Sequence, residues 1–577
     1  MPRLRLALAQ TNPIVGDLAG NAAQILSAAH RAHAAGADLL AVGEMALSGY
    51  PIEDLASRPS FLAASRDAVH TLAKSLQDAG LGDLVVIVGH PDGPFEPRLL
   101  GTSSAPTAIA QNCASVLHNG HAKARYVKHH LPNYSVFDEY RIFIPGDELL
   151  VLRIKGVDVA LLVCEDLWRD GGPVARVLEA DAGVLVVINA SPFERDKDEV
   201  RLPLVTRRAT ETDTIVAYVN IVGGQDDLVF DGDSVVVDGT GAILARAPQF
   251  EEHLLIVDVD AEPATDVALP DNVARVAIET AVHSDSTVIP ADVAVLPDDR
   301  EQLWNALVLG LRDYVKKNGF PSVILGLSGG IDSAVCAALA ADAIGADRVW
   351  GVSMPSQWSS DHSRGDADIL ADNIGLHYST EAIADLVLPI ENQLQLTGTA
   401  AENLQARIRG IILMGLSNLN GHLVLTTGNK TELAVGYSTI YGDSAGGFAP
   451  IKDVPKMLVW ELARWRNEFA AANGETPPIP ENSISKPPSA ELRPDQTDQD
   501  TLPDYELLDA IVELYVTQRL GARDIVAAGY DAETVDFIST LIDRSEWKRR
   551  QGAIGPKISG MAFGRDRRLP ITYKPRT

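Results

Sequence analysis

The sequence predicts an α/β protein with two domains, and three observations lead to this fold class. The chain has 577 residues, more than a single hydrophobic core usually supports. Its first ~265 residues alternate short β-like runs with helical patterns, which indicates stacked α/β layers. Further along, a Gly-Gly turn stands between a strand pattern and a helix pattern and opens a second region of this kind. The predicted domains are 1–265 and 301–577, joined by a linker at 266–300.

The strands of the first domain are predicted from short apolar runs that are bounded by turn-forming residues. They span 4–9, 39–42, 84–88, 157–163, 184–188, 215–219, 234–237 and 254–259. Residues 261–300 are rich in Ala, Asp, Pro and Val and show no clear period, which favours a linker with some local structure.

The second domain begins with a helix pattern near Glu301, which leads into a strand at 323–327. A parallel sheet follows from strand patterns at 349–354 and 423–426, with helix patterns at 366–374 and 402–418 between them. Residues 474–505 are dense in Pro, Ser, Asp and Gln, which predicts a long loop or lid.

Composition excludes several classes of protein. A net charge of −29 argues against a nucleic-acid binder, which needs a broad basic face. No apolar run approaches the ~20 residues of a membrane span. Three cysteines form no disulfide framework, so a cytoplasmic location is expected. The tail at 546–577 is basic, unlike the rest of this acidic chain. It could close over polyphosphate, dock on a neighbouring subunit, or be a solvated end.

The Gly-Gly turn has the sequence Ser-Gly-Gly-Ile-Asp-Ser at 328–333, between an apolar run and an Ala-rich helix pattern. Backbone N–H groups at such a helix start form a site for an anion, most naturally a phosphate. The spacing fits neither a Walker loop nor a dinucleotide fingerprint. The order S-G-G-x-D-S resembles the pyrophosphate loop of the ATP pyrophosphatases, which cleave ATP to AMP and pyrophosphate. The resemblance implies that Asp332 binds Mg²⁺, whereas the simpler reading is an ordinary Gly-rich turn.

The first domain carries a second candidate chemistry. Cys164 follows the apolar strand pattern at 157–163, where a thiolate can turn toward solvent. Glu44 follows the strand pattern at 39–42, and Lys128 follows an extended run. Glu, Lys and Cys in this chain order resemble the nitrilase/amidase superfamily, whose fold is a four-layer αββα sandwich. Cys113 and Cys336 lie in apolar or helical surroundings and are expected in the core.

These three residue types suit amide cleavage. Attack on a carboxamide needs a thiolate, a base that takes its proton, and a cation for the tetrahedral oxyanion. Cys164 is the expected nucleophile, Glu44 the general base and Lys128 the group that stabilises the oxyanion. Each of them taken alone could instead be an ordinary core or surface residue.

Both halves together resemble the glutamine-dependent NAD synthetases, in which a nitrilase-type glutaminase is fused to an ammonia-using synthetase. The resemblance covers essentially the whole chain. It implies a nitrilase-like αββα sandwich followed by a doubly wound parallel α/β domain of the pyrophosphate-loop (adenine nucleotide alpha hydrolase-like) type. Its most specific strings lie at 131–139, 189–192, 218–226, 328–333, 402–405, 427–432 and 486–493.

The resemblance also implies site residues. Glutamine would be held by Tyr134, Ser191 and Lys197. ATP would be held by Gly326, Leu327, Ser328, Gly329, Gly330, Ile331, Asp332, Ser333 and Thr427. Deamido-NAD would contact Asn403, Glu432, Asp443 and Lys557, and Lys456 would contact a phosphate. Asp332 and Glu432 would bind Mg²⁺. One departure is Gly43, because the family often has proline before the catalytic glutamate; a glycine permits more backbone freedom there.

The implied reaction is amidation of deamido-NAD to NAD, with ATP adenylating the carboxylate and glutamine supplying ammonia along an enclosed route. Three alternatives remain open: a pyrophosphate-loop amidotransferase that acts on another carboxylate, a tRNA-modifying enzyme, and a metabolite sensor with an inactive glutaminase. The resemblance further implies a homodimer or a multiple of dimers. The apolar helix pattern at 406–416 could form that interface or belong to the core.

Overall fold

The computed structural model describes residues 1–96, 98–99, 107–266, 268–280, 288–290, 292–494 and 496–574. Its contacts divide the chain into two compact units. The first contains Met1–Gln225 and Phe230–Pro297, and the second contains Asp226–Val229 and Asp298–Thr577.

Up to residue 297 the described chain contains seventeen strands. They are β1 (Arg3–Gln10), β2 (Leu39–Val42), β3 (Val85–Asp92), β4 (Arg98–Leu99), β5 (Thr107–Ala108), β6 (Gln111–His118), β7 (His121–Val127), β8 (Leu149–Ile154), β9 (Val157–Val163), β10 (Val184–Asn189), β11 (Ile215–Asn220), β12 (Val222–Gln225), β13 (Leu228–Asp231), β14 (Val235–Val237), β15 (Ile243–Arg246), β16 (His253–Asp260) and β17 (Val273–Ile278). The helices are α1 (Leu18–Ala34), α2 (Pro59–Asp78), α3 (Glu139–Ile142), α4 (Glu165–Trp168), α5 (Gly172–Glu179) and α6 (Asp198–Thr212).

Two large sheets form the centre of the first unit. One has the order β16-β1-β2-β3-β6-β7, and the other has the order β15-β14-β11-β10-β9-β8-β17. Side chains alternate along β1, so Leu6 and Leu8 pack into the cluster between the sheets while Ala7 and Ala9 face the cluster formed with α1 and α2. Helices α5 and α6 pack on the second sheet. The predicted four-layer αββα arrangement is therefore confirmed.

All eight strands predicted for this region are present. The segment expected to be a linker contains β17, which pairs in parallel with β8 at the edge of the second sheet. This strand has only six residues, and half-buried positions interrupt its apolar run, which is why no clear period marks it in the sequence.

The second unit has a parallel sheet of four strands in the order β20-β19-β18-β21. They are β18 (Val323–Gly326), β19 (Val349–Ser353), β20 (His377–Thr380) and β21 (Leu423–Val424). The helices are α7 (Asp299–Lys317), α8 (Ile331–Ile344), α9 (Asp361–Ile374), α10 (Ala384–Leu394), α11 (Thr399–Asn420), α12 (Lys430–Val435), α13 (Lys456–Ala472), α14 (Glu481–Ser485), α15 (Tyr505–Val512), α16 (Ala522–Ala527), α17 (Ala532–Arg544) and α18 (Glu546–Arg549).

Helices α10 and α11 cover the sheet through a cluster that includes Ile324, Val352 and Leu413, while α8 also packs against β18 and β19. A separate apolar cluster joins α12, α15 and α17 through residues such as Leu508 and Ile538. The predicted loop at 474–505 contains α14 and a short 3₁₀ helix at Asp498–Asp500. In the part of the chain that is described, no helix has the length and apolar character needed to cross a membrane.

Candidate active sites

The first candidate site lies where strands of both sheets of the first unit end. Glu44 follows β2 and Lys128 follows β7, and these strands run in the same direction. Cys164 follows β9 in the other sheet. The end of β10 holds both sheets together here, because Cys164 N donates to Ile188 O (3.0 Å) and Glu44 N donates to Asn189 O (3.2 Å). The structure thus brings together the three residues predicted for amide cleavage.

Lys128 is completely buried between two carboxylates. Its Nζ lies 2.7 Å from Glu44 Oε1 and 2.8 Å from Glu139 Oε2. Burial acts to lower the pKa of Lys128, but the two carboxylates outweigh it and raise that pKa well above its usual value. Burial raises the pKa of Glu139 to about 7, although Lys128 acts in the opposite direction. Lys128 therefore stays charged, while the charge of its neighbour Glu139 changes near neutral pH.

Glu139 is a site residue that the sequence argument did not assign, although it belongs to the matched string at 131–139. It begins the short helix α3, and Tyr50 Oη donates to its Oε1 at 2.9 Å. Sequence spacing does not link a one-turn helix to a lysine eleven positions earlier. Only the family resemblance of the string at 131–139 indicates Glu139.

Cys164 is held in a strained turn between β9 and α4. Its φ of 47° and ψ of −100° lie in a region that side chains other than glycine rarely adopt. Burial raises the pKa of its thiol well above the usual value; Glu44 adds to this increase and Lys128 opposes it. The thiol is therefore protonated at rest and needs a base as it attacks.

Gly43 departs from the family pattern for a steric reason that concerns packing. A β-carbon at this position would lie 2.3 Å from Ile221 Cγ2 and 2.8 Å from Asn189 O. The close approach of these neighbours leaves no room for a side chain. The greater backbone freedom expected of a glycine is therefore not needed to explain why position 43 lacks a side chain.

The entrance to this site contains Tyr134, whose Oη donates to Glu165 Oε2 at 2.8 Å. Arg169 Nε donates to the other oxygen of Glu165, also at 2.8 Å. Lys197 Nζ lies 5.0 Å from the centroid of the Trp168 ring. Glu165, Trp168 and Arg169 line a cavity together with His130, Leu131 and Asp170. Tyr134 and Lys197 contact this lining through Glu165 and Trp168. Glu165 and Arg169 were not assigned from sequence, and the position of Glu165 directly after Cys164 was the only signal for it.

Ser191, the third residue expected to hold glutamine, lies just beyond β10 and is buried. Its backbone N donates to Asn220 Oδ1 at 2.9 Å, and Asn220 Nδ2 donates to Ser191 O at 3.1 Å. This pair of hydrogen bonds fixes the backbone at the end of β10, next to the Cys164 turn.

The second candidate site begins at the loop 328–333, which joins β18 to α8. Gly326 ends β18, the buried Leu327 follows it, and Ile331 opens α8. Gly329 has a φ of +75°, and a β-carbon there would lie 2.2 Å from Ser363 O. Gly330 N donates to Ser328 Oγ at 3.2 Å. The Ser328 and Ser333 hydroxyls also lie 3.2 Å apart. Backbone N–H groups and two hydroxyls thus meet at a helix start, as an anion site requires.

Asp332, Glu432 and Lys456 meet beside this loop. Lys456 Nζ contacts Asp332 Oδ2 and lies 3.1 Å from Glu432 Oε1, and Asn429 Nδ2 donates to Asp332 Oδ1 at 2.9 Å. Burial raises the pKa of Glu432 to about 8, while Lys456 acts to lower it. Burial likewise opposes the charge on Lys456, but the two carboxylates raise its pKa overall. Two carboxylates therefore converge on one cation.

An adjacent cavity is lined by Thr426, Gly428, Glu432, Leu433, Ser438, Asp443, Ser444, Ala449, Lys452, Arg549, Gly552, Ala553 and Phe563. Thr439 joins two predicted substrate residues beside it: its Oγ1 donates to Asn403 Oδ1 (2.7 Å) and its N donates to Asp443 Oδ1 (2.6 Å). Thr427 lies between β21 and α12. Asp443 thus lines the same cavity as Glu432, Asn403 is linked to Asp443 through Thr439, and Thr427 stands between the lining residues Thr426 and Gly428.

Lys557 is placed differently from the other predicted contacts. It is buried, and its Nζ lies 3.3 Å from Asp566 Oδ2. Other cations of the basic tail are paired as well: Arg549 and Arg550 each contact Glu546, and Arg567 lies near Asp543. The described part of the tail is folded onto the second unit, with much of its charge neutralised.

Comparisons with known proteins match both halves of the chain. A carbon-nitrogen hydrolase family model matches residues 5–268, and an NAD synthase family model matches residues 303–552. The chain is thus a carbon-nitrogen hydrolase joined to an NAD synthase. A glutamine-dependent NAD(+) synthetase from Aquifex aeolicus is 42% identical, with 99% of each chain covered. One from Thermotoga maritima is 42% identical over 100% of this chain and 99% of that protein.

A solved structure supports the same assignment. The glutamine-dependent NAD+ synthetase from Acinetobacter baumannii, in complex with adenosine diphosphate, has a TM-score of 0.71 and 38% identity, covering 99% of this chain and 98% of that one. The chain belongs to the glutamine-dependent NAD(+) synthetase family.

Proposed function

We propose that this protein converts deamido-NAD to NAD with ATP and with ammonia that it releases from glutamine, forming AMP, pyrophosphate and glutamate. This is the last step of NAD biosynthesis. One observation carries the proposal: the same chain contains the Glu44–Lys128–Cys164 cluster in one unit and the loop 328–333 with its two carboxylates in the other. An amide-cleaving site and an ATP-cleaving site together supply ammonia and an activated carboxylate.

In the first unit Glu44 takes the proton of the Cys164 thiol as sulfur attacks the glutamine carboxamide. Lys128 stands beside Glu44 and stabilises the oxyanion that forms. Collapse of the tetrahedral intermediate expels ammonia, with the proton returned from Glu44, and leaves a thioester on Cys164. Water activated by Glu44 then releases glutamate. The raised pKa of the buried thiol makes the base necessary at neutral pH.

Glutamine carries an ammonium and a carboxylate that a simple amide lacks, and the entrance residues suit both. We assign Tyr134, Ser191 and Lys197 to glutamine binding. Glu165 is nearly buried and held by the Tyr134 hydroxyl, so its carboxylate is placed to accept from the substrate ammonium. Arg169 and Lys197 supply cations for the substrate carboxylate at the same entrance.

In the second unit the loop 328–333 binds the ATP phosphates through its backbone N–H groups and its two serine hydroxyls. Gly326, Leu327 and Thr427 complete the nucleotide site. We assign Asn403, Glu432 and Asp443 to deamido-NAD binding, and Lys456, which contacts Asp332 and Glu432, to a phosphate. Adenylation of the nicotinate carboxylate makes it an acceptor for ammonia, because an ionised carboxylate does not react with an amine. Lys557 is assigned to substrate indirectly, through the tail that it anchors.

Asp332 and Glu432 fit a magnesium site, since both are carboxylates that converge on one cationic group. Mg²⁺ would supply charge neutralisation for the polyphosphate. Among the described residues no group of three or more His, Cys, Asp or Glu side chains could hold a metal ion, so phosphate oxygens and water would share the coordination with the two carboxylates. EDTA should therefore stop NAD formation from either nitrogen source, while glutamine hydrolysis continues; inhibition of both halves would contradict this assignment.

We also propose a cytoplasmic location and a homodimer or a multiple of dimers, and we expect no nucleic-acid partner because the chain has a net charge of −29. Small molecules are its partners: deamido-NAD, ATP, glutamine and ammonia.

The nearest competing function keeps the chemistry and changes the carboxylate that is amidated. Purified protein incubated with ATP, Mg²⁺, ammonium and a panel of carboxylates distinguishes the two. The proposal predicts that deamido-NAD alone supports formation of AMP and pyrophosphate in equal amounts with NAD. Turnover of another carboxylate but not of deamido-NAD, or release of ADP and phosphate, would overturn it.

A further inference from the structure

Asn112 is a polar residue in a position that the fold otherwise fills with apolar side chains. It lies in β6 and is completely buried. Because side chains alternate along a strand, it shares a face with Ala114 and Val116, which belong to the cluster between the two sheets. Burying an amide among such neighbours is unfavourable unless its hydrogen bonds are made.

The hydrogen bonds of this amide are only half made. Nδ2 donates to Glu44 Oε1 at 2.7 Å, and the orientation of the amide follows because a carboxylate only accepts. Asn112 Oδ1 has no donor among the described residues of the protein. A buried acceptor without a protein partner lowers stability, so folding energetics do not explain an asparagine here. The contact with Glu44 does.

The same residue also holds Lys128. Lys128 N donates to Asn112 O at 2.9 Å, which continues the pairing of β6 and β7 by one residue beyond the strand. The side chain of Asn112 thus contacts the proposed base, and its backbone contacts the residue that supplies the cation. It connects the two groups whose relative position glutamine hydrolysis depends on.

The hydrogen bonds to Glu44 determine which of its two oxygens can take up a proton. Oε1 accepts from both Lys128 Nζ and Asn112 Nδ2 at 2.7 Å, which uses both of its lone pairs. Oε2 accepts from Ala190 N at 3.0 Å, which leaves one lone pair free. Any proton that Glu44 takes up must therefore go to Oε2.

We propose that Asn112 is a positioning residue for glutamine hydrolysis, which saturates Glu44 Oε1 and thereby directs the proton of Cys164 to Oε2. The inference rests on the proposed glutaminase activity of the first unit. As the sulfur–carbon bond forms, the thiol proton moves to Oε2 and the carbonyl electron pair moves to the oxygen beside Lys128. The same proton leaves with the amide nitrogen as ammonia when the intermediate collapses.

The test is Asn112→Leu, which removes the amide and keeps the backbone carbonyl that holds Lys128. Loss of a hydrogen bond to a charged group predicts a glutamine-supported kcat lower by roughly 10- to 100-fold. The KM for glutamine should change little, since Asn112 contacts the base and not the substrate. NAD formation from ammonium should be unchanged.

Asn21→Leu is the matched control. Asn21 is a buried asparagine of the same unit, and its Nδ2 donates to Ile14 O (2.8 Å) and Leu47 O (3.1 Å). This variant should be less stable to heat yet keep the glutamine-supported kcat of the wild type. Asn112→Asp, which keeps the shape of the side chain, replaces Asn112→Leu if the leucine variant does not fold, and should lose glutamine-supported kcat as well.

Three results would overturn the proposal. The first is an Asn112 variant with the glutamine-supported kcat of the wild type. The second is an equal loss of the ammonium-supported rate, which would indicate general damage. The third is a loss of kcat/KM that comes from a higher KM for glutamine, which would assign Asn112 to substrate binding and not to the base. A wild type that releases no glutamate from glutamine would refute the proposed function itself, so the two failures are distinguishable.

Discussion

At the scale of single residues, the glutaminase site is organised around one buried cation. Lys128 lies within 2.8 Å of carboxylate oxygens of both Glu44 and Glu139. The site can therefore hold one net negative charge beside the thiol of Cys164, and Glu139 determines whether it does. Below a pH of about 7 Glu139 is neutral, and above it the ionised carboxylate raises the pKa of Cys164 further.

Glu139→Gln should accordingly make Cys164 more reactive at alkaline pH. At pH 8 the variant should be alkylated by iodoacetamide several-fold faster than the wild type, because a neutral amide does not oppose the thiolate. Below pH 6, where Glu139 is already protonated, the two rates should converge. Peptide mapping by mass spectrometry measures the reaction at Cys164, since burial raises the pKa of Cys113 to about 12 and Cys336 is also buried.

The exposed Glu199, on α6, provides the control as Glu199→Gln, which should behave like the wild type at every pH. A slower reaction of Glu139→Gln at pH 8, or a difference that persists unchanged at pH 5, would contradict the role given to Glu139.

The sequence predicted part of this site and not the rest, for a physical reason. Glu44, Lys128 and Cys164 each follow a strand-like run, and their chain order matches an amide-cleaving family. Asn112 and Glu139 reach the same point through an inner strand and a one-turn helix, so their proximity depends on tertiary packing. Local spacing carries no information about contacts of this kind.

At the scale of elements, the loop between β18 and α8 depends on the close approach of its backbone to the start of α9. Gly329 has a φ of +75°, and a β-carbon there would lie 2.2 Å from Ser363 O. A second contact comes from α14, where Ser483 Oγ donates to Gly329 O at 2.9 Å. Both neighbours fix the conformation of the loop that we propose binds phosphate.

Gly329→Ala should lower the rate of NAD formation with either nitrogen source by about 100-fold or more. The reason is that a steric clash would displace the binding loop. Glutamine hydrolysis in the other unit should continue. Steady-state assays of NAD and of glutamate measure the two activities separately.

Gly375→Ala is the control for backbone strain, because the φ of Gly375 is +77° and a β-carbon at this position would have no atom within 4 Å. It should lower stability by about 1 kcal/mol and leave both activities in place. Equal losses in the two variants would show that strain, and not the contact with Ser363, matters at Gly329.

The sequence predicted eight of the seventeen strands described up to residue 297, and it missed the buried inner strands β6 and β8 as well as edge strands such as β7. All eight predicted strands of the first unit are continuous apolar runs or alternate cleanly. The unpredicted β7 is largely exposed along its length, and Lys and Arg interrupt its apolar residues. An edge strand needs hydrogen bonds from one neighbour only and little burial, so hydrophobic periodicity does not mark it.

At the scale of the whole molecule, α10 and α11 expose several large apolar side chains. Leu394 is 60% exposed and Ile411 is 63% exposed, and Leu386 and Met414 are also exposed. The proposed homo-oligomer would cover them. The helix pattern at 406–416 thus contributes to both core and surface, since Ala406, Ile408 and Leu413 are buried.

Ile411→Asp should shift the protein toward smaller species, because an interface would then bury an unpaired charge. Sedimentation velocity over a range of protein concentrations measures the shift. Val200→Asp, at an exposed valine of α6 in the other unit, should leave the assembly unchanged. An unaltered mass distribution in Ile411→Asp would exclude this face as the interface.

The central claim is that one chain divides the work between a glutaminase and a synthetase, and one measurement tests it most directly. NAD formation by the wild type and by Cys164→Ala is compared with ATP, Mg²⁺ and deamido-NAD, using glutamine or ammonium as the nitrogen source. The account predicts that Cys164→Ala loses the glutamine-supported rate and keeps the ammonium-supported rate. If the variant loses both, or if neither protein forms NAD from either source, the account is contradicted.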